Sequence, residues 1–515
     1  MSLVRRFFTV SGLTVLSRIL GVFREAALLH FLGATAEMDA FTIAYKFPNF
    51  FRRFFEEGGF QSIFVPYFSD YYSVGKLKGA GCFASRLFSL IFWVMLFFSI
   101  LVFVFAKQFA ILMAPGFINS PEKLALAVEF TRIIFPTVMF ISLSTIYSGM
   151  LISRKVFFPY AMAPVWVNAI LIGSLFIGKD ILSAGRRISY GLLAAAIFLY
   201  LYMLLHSRRE KLPRVSLSSI KLTTGIKRFL KKLTPVLVGA GIAQVNVFTG
   251  SWFASILPTG CITYIYCADR FVQLPLALFG ISMGLVLLPE ISESLAVKKN
   301  TDLKGIRNRS LLFTMRLTFP SVIGLIALSY HMISLIYGHG KFTEDAARST
   351  SYVLKIVSIG LPAYVASKII SSVLFAQKDA KTPVLAAIIS IATNIVLSFI
   401  LVFPFKELGI AAANAIAGFA NVYFMCRRSG WWSSVDKAMI VNLIKIAGSS
   451  IVMMIFLLVI TTYFEPNGKV EEMLFIAAAI LIGIGVYVFS LYFLKDESTR
   501  ACIRLIRQRI SHNDR

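Results

Sequence analysis

Long apolar runs alternate with short polar stretches along almost the whole chain. Windows such as 87–106, 159–178 and 383–402 carry no fixed charge. Each is long enough to cross a hydrocarbon core of roughly 30 Å as a helix. Barrel strands would be about ten residues long and would alternate in polarity, which these runs do not. The pattern predicts an all-α polytopic membrane protein with about fourteen transmembrane helices. The expected spans are 7–29, 38–65, 85–106, 124–152, 157–178, 187–206, 233–256, 263–290, 310–330, 350–375, 383–403, 408–426, 438–463 and 472–494. The first, second, seventh and eighth are interrupted by charges or proline.

The polar stretches orient these spans. With the N-terminus inside, the inner loops hold thirty-two Lys and Arg residues and the outer loops nine. Basic residues mark cytoplasmic loops, so both termini are expected in the cytoplasm. The most basic loop, 208–232, is expected on that face, and a surface helix against anionic lipid is one form it can take. The first span follows Arg5 and Arg6 but contains Arg18, Arg24 and Glu25. That makes it a poor signal-peptide core and a better first membrane helix.

The chain also repeats itself. Val65-Pro66 with Ser69 matches Leu288-Pro289 with Ser292, Phe117 after Gly116 matches Phe342 after Gly340, and Phe135-Pro136 matches Leu361-Pro362. Pro159 matches Pro383 and Asn168 matches Asn394, all in order near one offset. Six spans separate the copies, so this is a parallel repeat. The expected organisation is an N-terminal six-helix lobe (1–212), a C-terminal six-helix lobe (213–432), and two additional helices with a basic tail (433–515). A substrate site is expected between the lobes.

Ionisable residues within spans are costly and mark function by default. At 100° per residue, Ser11, Thr14, Ser17, Arg18, Gly21, Arg24 and Glu25 share one polar face of the first span. Such a face suits a water-filled cavity. The competing reading is a buried salt bridge, for example Arg24 with Asp39, serving only packing. The second span adds Asp39, Lys46, Arg52, Arg53, Glu56 and Glu57, with breaks expected at Pro48 and Gly58-Gly59. The eighth has Asp269-Arg270 before Pro275. Lys355, Lys368 and Arg132 also fall within spans, whereas Arg316 and Lys445 read as residues snorkelling from helix ends. A cationic cavity selects an anion, and the guanidinium fork matches phosphate. Apolar surroundings then point to an amphiphile with a phosphorylated head.

Composition narrows the classes. Apolar residues make up 57% of the 515 and charged residues 15%, with a net charge of +27. On a soluble protein that charge would suggest nucleic acid, but here it lies between apolar spans. The five cysteines (82, 261, 267, 426, 502) form no CxxC pair, so neither a metal site nor a disulfide framework is expected. There is no phosphate-binding GxxxxGK[ST] loop, and the five histidines are dispersed. An enzyme is not expected, nor is a cofactor.

These residues resemble the MurJ (MviN) family of lipid II flippases, within the superfamily that includes the MATE exporters. The resemblance is carried by Ser17-Arg18-Ile19-Leu20-Gly21 with Arg24, by Asp39-Ala40-Phe41 through Lys46, Pro48-Asn49, Arg52-Arg53 and Glu57-Gly58, and by Phe64-Val65-Pro66. It continues in Ala268-Asp269-Arg270, Gln273-Leu274-Pro275, Leu287-Leu288-Pro289, Gly340-Lys341-Phe342-Thr343 and Lys381-Thr382-Pro383. The resemblance implies that lipid II, the undecaprenyl-diphosphate-linked peptidoglycan precursor, is moved from the cytoplasmic to the periplasmic leaflet of a bacterial inner membrane by alternating access. It implies substrate contacts from Arg18, Arg24, Arg52 and Arg270, with Ser17, Lys46 and Arg53 nearby. Glu25, Asp39, Glu57 and Asp269 become charge partners or gates, and the last two helices a groove for the lipid tail. Membrane lipids and the cell-wall synthesis machinery are the implied partners. Glu25 stands where relatives often carry Asp. Where some relatives bind sodium through acidic residues, this chain has Gly250 and Ser398, with Asn394 retained, so little sodium dependence is expected. The alternatives are a MATE-like small-molecule exporter, a flippase for another lipid-linked oligosaccharide, and a non-transporting cell-wall scaffold. A cationic cavity argues against cationic drugs, and a polar helix face argues against a scaffold.

Overall fold

The computed structural model describes residues 3–56, 59–73, 77–178, 181–219, 222–296, 303–464, 466 and 468–496. Helices dominate, and no strand occurs among the described residues. The first half runs α1 (Leu3–Leu32), α2 (Ala36–Glu56), α3 (Gln61–Ser73), α4 (Leu77–Val104), α5 (Ala106–Met113), α6 (Pro121–Ile134), α7 (Thr137–Ser153), α8 (Phe158–Phe176) and α9 (Ala184–Arg209). The second runs α10 (Thr224–Ala254), α11 (Cys261–Pro275), α12 (Ser282–Ala296), α13 (Leu303–Ala327), α14 (Ser329–Tyr337), α15 (Glu344–Ile359), α16 (Leu361–Ala376) and α17 (Lys381–Arg428). Two further helices follow, α18 (Lys437–Tyr463) and α19 (Lys469–Phe493).

The order α1 to α8 recurs as α10 to α17. Starts shift by 221 residues from Leu3 to Thr224 and by 226 from Leu77 to Leu303, with the other pairs between these values. The counterpart of α9 is the second part of α17. That helix is interrupted at Lys406 (φ 49°, ψ −130°), two residues after Pro404. Proline removes a hydrogen bond and crowds the preceding turn, so the break falls where spans eleven and twelve were expected to part.

Among the described residues each expected span is largely helical, with 38–65 divided between α2 and α3, but the count of fourteen is not fixed by these helices. Among the described residues, ten helical segments are long and apolar enough to cross a membrane, one of them the interrupted α17. The expected spans 7–29, 38–65 and 233–256 are not among those ten. The first two carry the in-span charges from which the site was argued.

Local signals start and stop the helices. Prolines occupy the first turns of α6, α8 and α16, where no N–H partner is needed. The Asp436 carboxylate caps α18 by accepting from the Met439 N–H at 2.8 Å. Asp379 does the same for α17 through the N–H groups of Lys381 and Thr382, and the Thr382 bonds hold its carboxyl below the ordinary carboxylate range. Two expectations about breaks divide. Helix α2 runs on through Pro48, whereas the chain leaves the helix after Glu56 and restarts at Gln61. Glu57 and Gly58 lie outside the described residues. After Pro275 the helix widens into a π-helical turn over Leu276–Ile281, a local adjustment that can re-satisfy backbone groups a membrane proline frees.

The chain forms two compact units, Met1–Thr263 with His339–Thr343, and Tyr264–Gly338 with Glu344–Arg515. In the first, α1 packs on α8, α8 and α7 pack on α9, and α2 packs on α6 and α7. Helix α10 packs on α2, α3 and α4 of the same unit. Its core is aromatic, with Phe60, Phe64, Phe68, Phe83 and Phe229 buried together. The basic 208–232 loop is not a surface helix along its length. Residues 212–219 form no helix and lie against α4, where Ser216 and Ser218 donate backbone N–H groups to Ser85 Oγ (3.2 Å) and Ser89 Oγ (2.8 Å). Gly81, one turn before Ser85, leaves room for Pro213. In the second unit, α18 packs on α13 and α19, and α16 packs on α12 and α17.

Candidate functional site

Helix α1 presents two faces. Val15, Ile19, Val22 and Phe23 are exposed outward, as a lipid-facing side would be. The opposite side meets α8, and there Arg24 is engaged. Its Nη1 donates to Asn168 Oδ1 at 2.9 Å, and its Nη2 is held by Glu25 Oε1. Asn168 in turn donates through Nδ2 to the Ser17 carbonyl at 3.0 Å. Ser17 and Arg24 are two turns apart on one line of the helix, so a single amide grips both. The close approach is made beside Gly21, whose added Cβ would sit 3.9 Å from Asn168 Nδ2.

Arg24 and Arg52 line one cavity of about 130 Å³ in the first unit, together with Tyr45, Pro48, Thr137 and Asn168. Tyr45, Pro48 and Arg52 recur at helical spacing along α2, which explains why the helix running through Pro48 matters. It keeps those three side chains on one face. Arg52 Nε donates to Asn49 Oδ1 at 3.2 Å, which orients the guanidinium. The volume has room for several waters or one oxyanion.

The other expected site residues divide. Arg18 is exposed on α1 and does not line this cavity. Lys46 and Arg53 are half-buried one helical step beyond Tyr45 and Arg52, and likewise do not line it. Asp269 and Arg270 lie in the second unit, on α11. Arg270 Nη2 donates to Tyr266 Oη at 2.6 Å, and the guanidinium stacks 4.5 Å from that ring. Glu57 is outside the described residues.

Asp39 is not the partner of Arg24. It is fully buried at the start of α2, with Lys123 Nζ 3.5 Å away. It accepts from the Gly260 N–H (2.8 Å), the Thr263 N–H (3.1 Å) and Thr263 Oγ1 (2.7 Å). A carboxylate bonding the free N–H groups at a helix start is an N-cap. Here the cap comes from a residue more than two hundred positions earlier. The same region holds two backbone docks. Lys341 N–H donates to the His30 carbonyl at 2.9 Å, and Gly116 N–H donates to Ser255 Oγ at 3.0 Å. Gly33 and Gly340 both adopt left-handed φ (66° and 64°), and each faces the other loop so closely that a Cβ would collide.

Two in-span cations are engaged elsewhere. Arg316 does not snorkel. Its Nη2 bonds Asp496 Oδ1 at 2.9 Å, and that carboxylate is fully buried. Lys445 reaches the Lys495 carbonyl at 3.2 Å, near the end of α19. Sequence reasoning missed Asn168 as a site residue, although it stood out as a polar position repeated at Asn394. In the second unit Asn394 Oδ1 accepts from Ser398 Oγ at 3.2 Å. Lys123 was missed as the partner of Asp39, because only the fold joins α6 to α2.

Comparison with known proteins gives a consistent result. The model of the family described as "Lipid II flippase MurJ" matches residues 28–479. A probable lipid II flippase MurJ of Rhizobium meliloti (strain 1021) is 34% identical over 437 residues, covering 84% of this chain and 81% of that protein. One of Rickettsia prowazekii (strain Madrid E) is 29% identical, covering 97% of this chain and all of its own length. A solved lipid II flippase MurJ in an inward closed conformation superposes with a TM-score of 0.79 at 30% identity, over 93% of this chain and 97% of that one. A MATE-family multidrug transporter in an inward-facing conformation shares the fold at a TM-score of 0.64 and 12% identity, over 82% and 96% of the two chains.

Proposed function

The chain belongs to the MurJ family of lipid II flippases and is a multi-pass membrane transporter of lipid II, not an enzyme; from that premise we propose how its first unit receives the cargo. The diphosphate of the precursor binds at the cavity that Arg24 and Arg52 share. Two guanidinium groups present parallel N–H donors to phosphate oxygens. Glu25 and Asn168 position Arg24, so the donors are preorganised and little freedom is lost on binding. Arg18 and Ser17 extend the polar face of α1 toward the incoming head, and Lys46 and Arg53 add positive potential beside it. Arg270 is carried over as a substrate contact from the family resemblance, with Asp269 as its charge partner and Glu57 as a gate. The observation that supports this reading best is Arg24, bound by Asn168 and Glu25 and opening onto a cavity that also holds Arg52.

Asp39 serves as the latch. With both termini cytoplasmic in a bacterial inner membrane, the loops that meet around Asp39, Gly33, Gly116 and Gly340 lie on the periplasmic side. Release of cargo there requires the Asp39 cap of α11 to break. Lipid II is thus taken from the cytoplasmic leaflet and released to the periplasmic one by alternating access, beside the cell-wall synthesis machinery that uses it. Leaflet-resolved transport of labelled lipid II in vesicles tests the reading. Arg24→Ala should lower transport by roughly ten- to a hundredfold, and Arg24→Lys should restore only part of it, because the charge returns without the fork. Full activity of Arg24→Ala would refute the diphosphate site.

A further inference from the structure

Helix α16 carries a polar stripe that the diphosphate site does not use. Tyr364, Ser367, Lys368, Ser371 and Ser372 fall on one helical face. Ala366, Ile369, Ile370 and Val373 form the opposite, buried face. Two of the stripe's hydroxyls are engaged by α17, Ser367 with Asn421 Oδ1 at 2.9 Å and Ser371 with Met425 Sδ at 3.5 Å. On the other side α12 approaches at Gly284, where an added Cβ would meet Ser372 Oγ at 2.7 Å. Lys368, between these two packed edges, is exposed.

No carboxylate lies within 4 Å of the Lys368 ammonium among the described residues. It is two turns, about 12 Å of helix rise, from the end of α16 at Ala376. That is further than a lysine stem reaches, so the charge does not escape to the interface by snorkelling. Serines and a tyrosine flank it, where a lipid-facing side would carry apolar residues. The Tyr364 hydroxyl, one turn away on the same stripe, is buried with no hydrogen-bond partner among the described residues. An accessible ammonium without a counter-ion, flanked by serine hydroxyls at membrane depth, forms a place for an anionic acceptor.

Resting on the flippase reading, we infer that Lys368 is a specificity-determining residue that binds a carboxylate of the cargo's peptide portion. The chemistry separates this subsite from the diphosphate site. One ammonium with neutral hydroxyls beside it is a point charge, suited to a single carboxylate. A diphosphate calls for the paired forks that Arg24 and Arg52 supply. The precursor of a peptidoglycan carries a peptide, and its carboxylates are the remaining anions of the head group.

The test uses the full chain in vesicles with two labelled substrates, lipid II with free peptide carboxylates and lipid II with those carboxylates converted to carboxamides. The wild type should move the native form faster by about tenfold, the effect of one charge-assisted hydrogen bond. Lys368→Gln should lower native transport to the amidated rate and leave amidated transport unchanged. Lys368→Arg should keep the discrimination. Membrane abundance of each variant, together with its amidated-substrate rate, shows whether it has folded. Equal slowing of both substrates by Lys368→Gln, or equal rates for both in the wild type, would overturn the inference while leaving the flippase reading intact. Failure of the wild type to move either substrate would instead sink the flippase reading, and this inference with it.

Discussion

Arg24 and Arg316 are both arginines at membrane depth, and they are held in opposite ways. Arg316 bonds Asp496, a fully buried carboxylate contributed by the segment after α19. Arg24 leans on Glu25, its own neighbour in the chain, and on the neutral amide of Asn168, and it opens onto a cavity with a second arginine. The first arrangement closes a charge pair between distant elements. The second leaves a cation facing a cavity, where the proposed diphosphate site places the cargo. The difference suggests a rule for reading such chains. On this account a cation paired with a buried acid from a distant element is structural, whereas one held by its chain neighbour and a neutral amide beside a cavity is the candidate for function.

The comparison predicts a graded set of effects. Arg24→Ala or Arg52→Ala should lower lipid II transport by roughly ten- to a hundredfold, the range expected for hydrogen bonds to a charged group. Membrane abundance should stay normal, and a fall in abundance matching the fall in transport would erase the distinction from Arg316. Arg316→Ala should do the reverse. It removes the arginine that neutralises a fully buried carboxylate and costs on the order of 3–5 kcal/mol, read as lost abundance and a lower thermal midpoint in detergent. The double variant Arg316→Met with Asp496→Asn should recover both. Asp39→Asn weakens the cap on α11 by about 1.5–3 kcal/mol. It should raise reactivity of the buried Cys261 at the start of α11 toward an impermeant thiol reagent added from the periplasmic side, and unchanged labelling would remove Asp39 from the latch. The smallest effect concerns sodium. A hard cation wants several oxygen ligands, usually with at least one carboxylate, and the family resemblance places Gly250 and Ser398 where some members have acids. Replacing sodium by potassium at fixed membrane potential should change transport by less than about twofold.

Much of this was legible in the sequence, because hydrophobic period, loop charge and internal repetition are local properties. The recurrence of α1 to α8 as α10 to α17 follows from proline and glycine punctuation that survives in both copies. The polar face of α1 followed from helical geometry alone. Partners were not legible. Nothing local says that Asp39 meets Lys123 and Thr263, or that Arg24 turns to Asn168, because packing of α2 on α6 and α1 on α8 decides both. Pro48 misled for a related reason. Tertiary contacts hold α2 helical through it as far as Glu56, and α3 begins at Gln61 after the turn at Gly59-Phe60. The 208–232 loop gave its charge but not its shape. Its course depends on Gly81, Ser85 and Ser89 forming a track on α4, a feature of a different helix.

The central claim is that position and partner, not charge alone, separate working cations from structural ones. The most direct measurement is the transport rate per inserted molecule for Arg24→Ala, Arg52→Ala and Arg316→Ala side by side, with abundance fixed by quantitative blotting. The account predicts a collapse of the per-molecule rate for the first two and a near-normal rate for whatever Arg316→Ala protein survives. Equal per-molecule losses in all three, or a normal rate in Arg24→Ala, would contradict it.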